Sequence, residues 1–92
     1  MKIAFRKIDH VQICIPKGAE DEARKFYGGL LGLEEIEKPD SLKPSGGVWF
    51  LIASAELHLG VETTLTKTKA HPAFEIENIE ESGGGTDILR AT

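Results

Sequence analysis

The 92-residue chain is short of several things, and each shortage excludes something. It has one cysteine, Cys14, so no disulfide can close within the chain. It has no apolar run long enough for a membrane span. The first residues, Met1 to Lys7, hold no long apolar stretch and no small-residue cleavage site, so they do not read as a signal peptide. A cytoplasmic, reducing location is the expectation. No basic stripe is present, and 15 acidic residues outnumber 11 Lys and Arg, which argues against a nucleic-acid partner. No histidine pair has the His-x-x-x-His spacing of a helical metal site. Gly83–Gly85 lacks the lysine of a phosphate-binding loop. Ser54 and Ser82 lack the context of a nucleophile elbow. Cys14 lies on the same face as His10 with Gln12 between them on that face, too loose a relation for a cysteine nucleophile.

What remains is an ordinary soluble composition, 40% apolar and 28% charged, enough for one domain with a modest core. Ile8 to Ile15 alternates as a strand: Val11, Ile13 and Ile15 on one face, His10, Gln12 and Cys14 on the other. Pro16-Lys17-Gly18 ends it. Ala19 to Leu31 reads as a helix with acidic residues in its first turn and an apolar stripe of Ala19, Ala23, Phe26, Tyr27 and Leu30. Gly28-Gly29 points to an early, irregular end or close packing. Leu33 to Glu37 reads as a short strand, and Asp40 to Gly47 as a loop. Val48 to Ile52 is a nearly continuous apolar strand and is expected to be central, with Trp49 in the core rather than lining a pocket. Glu56 to Glu62 alternates, with Leu57, Leu59 and Val61 opposite Glu56, His58, Gly60 and Glu62. Residues 63–70 read as a linker. His71 to Glu77 alternates again, and Asn78-Ile79-Glu80-Glu81 carries a capping-box start of a helix. Ser82 to Thr92 reads as a glycine-rich, flexible tail.

The three histidines, His10, His58 and His71, each fall in a predicted strand, on the face opposite its apolar residues. Neutral imidazole is the commonest metal ligand, and strands of one sheet can bring such residues together. Glu56, Glu62 and Glu75 share these faces and are candidate carboxylate ligands or plain surface charges. Gln12 shares the His10 face.

These residues together are similar to a known family. Ile8-Asp9-His10-Val11, Phe26-Tyr27 with Leu31-Gly32-Leu33, Val48-Trp49-Phe50, Leu57-His58-Leu59-Gly60-Val61-Glu62 and His71-Pro72-Ala73-Phe74-Glu75-Ile76 resemble the glyoxalase/bleomycin-resistance/extradiol-dioxygenase, or vicinal oxygen chelate, superfamily. The resemblance implies an α+β fold: one βαβββ module over residues 1–62, with a curved mixed sheet and an outer helix, then the linker and, over 71–81, the first strand and helix start of an incomplete second module. It implies a cup holding a divalent metal (Zn, Ni, Fe or Mn) that chelates vicinal oxygens of a small molecule. His10, His58 and His71 match the family's ligand positions. The family's fourth ligand, a glutamate, has no counterpart, and neither do the second module's full helix and last three strands. A half cup leaves strand edges and apolar surface uncovered, so a homodimer is the expected partner state.

Three readings follow. The first is a metal-dependent lyase, isomerase or dioxygenase. The second is a metal-free small-molecule binding protein of the same fold, such as a drug-sequestering resistance protein. The third is a truncated, inactive chain.

Overall fold

A computed structural model describes residues 2–63, 70–78 and 85–90. Four strands form one mixed sheet: β1 (His10–Pro16), β2 (Glu34–Ile36), β3 (Val48–Ile52) and β4 (Ala55–Glu62). Their order is β1-β4-β3-β2, with β1 parallel to β4 and the other pairs antiparallel. The parallel pair is possible because a helical crossover lies between β1 and the rest of the module. The strand-helix-strand-strand-strand module expected from the sequence is therefore present, and β3 is internal as its unbroken apolar run suggested.

Alternation decides the two faces. Val48, Phe50, Leu57 and Leu59 are fully buried on one face, with Ala23 and Tyr27 of the helix buried above them. Ile13, Ile15, Leu31, Leu33 and Ile52 pack around that cluster. The opposite face carries His10, Gln12, Cys14, Trp49, Glu56, His58, Gly60 and Glu62, since each is offset by one residue from a core position.

The helix departs from the expected regular span. Only α1 (Glu20–Ala23) is α-helical; Arg24–Leu30 continues as a π-helix. Gly28 and Gly29 lie in that wide turn, where missing side chains permit it. A Cβ on Gly28 would meet the Phe50 ring at 3.4 Å, so this turn lies close against the core. Arg24 ties the segment down: its Nε donates to Glu35 Oε1 of β2 at 3.0 Å. The expected loop before β3 contains a 3₁₀ helix, Asp40–Ser45. Ser45 Oγ caps it by donating to the Leu42 carbonyl at 2.7 Å, and Lys43 pairs with Asp40 at 2.9 Å.

Glu20 fastens that loop to the helix start. Its carboxylate accepts from the Gly47 N–H at 3.3 Å. Its own backbone N–H, then that of Gly47, hold its carboxyl below the ordinary value of 4.5. A depressed carboxyl stabilises the fold above the unfolded-state pKa, and that stabilisation is lost as pH falls through the folded value. Glu20→Gln is therefore expected to be less acid-sensitive than the wild type. Urea midpoints measured between about pH 6 and pH 3 should converge at the acid end; parallel curves would show that Glu20 does not contribute.

Beyond the module, β5 (Ala73–Asn78) and β6 (Gly85–Arg90) pair antiparallel as a two-stranded sheet. The flexible tail expected from Ser82 is corrected over Gly85–Arg90, which forms a strand. Thr86 to Arg90 supplies β-branched and aliphatic residues that can pair with β5, a cue the glycines before it obscured. β5 begins at Ala73, so His71 precedes the strand rather than heading it. The expected helix start has Asn78 as the last residue of β5, and Ile79 to Glu81 lie outside the described residues, as does most of the linker. Phe74 packs against the module's core. An isolated two-stranded sheet is marginal in water, so that contact contributes to holding it.

The Cα radius of gyration is 15.1 Å, against about 12 Å for a compact domain of this length. Much apolar surface is open: Phe5 is 92% exposed, with Ile3 and Ile8 in the same segment before β1, and Ile76 and Ile88 on the hairpin. No described helix is long and apolar enough to cross a membrane.

Candidate functional site

The site is built on the face opposite the core, where β1, β4 and β3 lie side by side. On β4, His58 is buried, with its Nε2 2.9 Å from Glu56 Oε1. The two residues are i and i+2 on one strand, so they share a face by the pleat alone. On β1, His10 is exposed, and its Nδ1 lies 3.0 Å from Asp9 Oδ2. His10 and its neighbours hold that carboxyl below its ordinary range, first through this hydrogen bond.

The side chains of β1 lean consistently along β4. His10 is registered with Glu56 but stacks on His58; the ring centroids are 4.3 Å apart and the planes 14° from parallel. Gln12 is registered with His58 but lies against Gly60, where a Cβ would stand 2.7 Å from its Nε2. Cys14 is registered with Gly60, and its Sγ lies 3.9 Å from Glu62 Oε1. Gly60 thus gives Gln12 a place and leaves the flank of His58 to His10. On the other flank, Trp49 of β3 is registered with His58 and stacks on it, with centroids 3.6 Å apart and planes 2° from parallel. Three rings on three neighbouring strands form one stack, Trp49–His58–His10.

Two of the three histidines expected as ligands are therefore brought together, and His71 is not part of that pair. It is exposed and lies before β5. Among the described residues, no group of three or more His, Cys, Asp and Glu is placed to hold a metal ion. Imidazole and carboxylate suit a divalent first-row metal, so the donor types fit. The geometry fits only in part. A nitrogen lone pair lies in its ring plane, and two nearly parallel rings direct their lone pairs side by side rather than at one point. Shared coordination therefore requires one ring to tilt.

Trp49 was expected in the core and instead faces the site. The strand Val48 to Ile52 is apolar at every position, so alternation there says nothing about which face is which. Pairing with β4 decides it: Phe50 opposes Leu57 and Trp49 opposes His58. The pattern of the β4 partner was the signal available in the sequence. Glu56, a candidate ligand or surface charge by sequence, instead bonds His58, a role that follows from the two-residue spacing.

No protein-family model and no curated protein matches the chain. Among solved structures, it is similar to a crystal structure from Bacillus anthracis described as that of a glyoxalase family protein. The two are 32% identical, with a TM-score of 0.71, over 89% of this chain and 83% of that one. The shared fold, the identity and the extent of the match over both chains agree with the residues that suggested the superfamily. The chain belongs to the glyoxalase family.

Proposed function

We propose that this chain binds a small molecule on the face bearing His10, His58 and Trp49, through a divalent metal held by His10 and His58. The observation that carries the reading is the meeting of His10 and His58, from adjacent strands, at 4.3 Å. When bound, the metal acts as a Lewis acid on neighbouring oxygens of the ligand. Asp9 and Glu56 fix the orientation of the two imidazoles from their other sides, the usual outer support of a histidine ligand. His71 is the candidate third ligand, and a second copy of the chain is the source we favour for what the pair lacks. The open apolar surface of Ile3, Phe5 and Ile8 supports association.

Calorimetric titration with Zn, Ni, Fe or Mn tests the reading. One of them should bind the wild type, and His10→Ala should weaken that binding by about 100-fold or more. Equal binding by both proteins would remove His10 from the site. A second reading, a metal-free binding protein, is favoured by the near-parallel rings. Absence of binding by all four metals at equal protein concentration would select it.

A further inference from the structure

We propose that the outward face of the His10 imidazole is a subsite for a planar aromatic group, which continues the Trp49–His58–His10 stack by one more ring. The inference rests on the reading of this face as the ligand face, but not on the metal. The two ends of the stack differ. At one end, Trp49 is registered with Ile36 of β2, whose side chain shares its face. At the other, His10 stands on β1, an edge strand, with no strand on its side away from β4 in that sheet. The side chain of His58, between two rings, is 8% exposed, while that of His10 is 47% exposed. Neighbouring strands lie about 4.8 Å apart, so a position one strand spacing beyond β1 suits a ring lying flat on His10.

The open ring is also preorganised. Asp9 holds His10 through Nδ1, and His58, which backs it, is held by Glu56 and Trp49. Little ordering remains for a ligand to impose, which favours binding. The carboxylates of Asp9, Glu56 and Glu62 edge the face, so the aromatic group it takes is uncharged or cationic rather than anionic.

The test uses two uncharged probes with one carbon skeleton, 2-naphthylmethanol and its fully saturated decahydro counterpart, titrated into the whole chain by NMR. Stacking adds to what burial alone supplies, so the naphthyl probe should bind about 3- to 10-fold more tightly. It should also shift the ring protons of His10 upfield. His10→Phe keeps a ring and removes the nitrogens; it should retain naphthyl binding within about threefold while losing metal. His10→Ala should lose the aromatic preference. The proposal is overturned if neither probe binds, if the saturated probe binds as tightly, or if His10→Phe falls as far as His10→Ala. Failure of the metal reading looks different: no metal uptake by the wild type, with naphthyl binding intact.

Discussion

Phe50→Ala is expected to lower the unfolding free energy by about 3–5 kcal/mol. Phe50 is fully buried at the centre of the sheet. It opposes Leu57 on β4 and Glu35 on β2, and its ring meets Tyr27 of the π-helical turn at 5.9 Å between centroids. Its edge also lies against Gly28, where the turn comes down onto the sheet. Truncation removes a large side chain that joins the two layers and leaves a cavity in the core. A chain of this size has about 5–14 kcal/mol to lose, so the variant should be barely folded at 37 °C. Its thermal midpoint should fall by at least about 12 °C. A fall of only a few degrees would mean that the helical segment does not depend on this ring.

Gly47→Ala is the second large effect, and its cause is the backbone. Gly47 has φ of 94°, and a Cβ there would stand 2.2 Å from the Leu59 carbonyl oxygen. The main chain enters β3 pressed against β4, and only a residue without a side chain fits. The left-handed conformation and the clash together should cost about 3 kcal/mol. Because Leu59 follows His58 directly, a displaced β4 carries the site with it. The variant should therefore lose stability in urea and also disturb the Trp49–His58 stack, read by the emission of the chain's single tryptophan. A variant within about 0.5 kcal/mol of wild type, with unchanged emission, would show that the loop can move aside freely.

The half of the fold that alternation governs was legible in the sequence. β1 and β4 have apolar and polar residues in strict turn, so the faces of His10 and His58 followed from the pleat. The order of the elements gave the βαβββ module. What failed had physical reasons. β3 is apolar throughout, so its own residues could not show that Trp49 faces the histidines. Periodicity in a thirteen-residue window does not separate an α-helix from one whose last turns widen around Gly28 and Gly29. Three glycines at 83–85 read as the start of a flexible tail, yet the residues after them pair with β5 because that strand offers an open edge. His71 heads an alternating run, but the strand starts two residues later, and with Pro72 between them the first position falls outside the ladder. The sequence pattern gave three histidines equal standing; the structure joins two.

The most direct test of the site is nitrogen NMR of the imidazoles during metal titration. With ¹⁵N-labelled protein, the ring nitrogens of His10 and His58 are followed as metal is added. The expected result is that both histidines shift together, in slow exchange and with one stoichiometry, because one ion takes a nitrogen from each. Shifts at His10 alone, with His58 unmoved, would contradict a shared site and leave the stack as the whole of this surface.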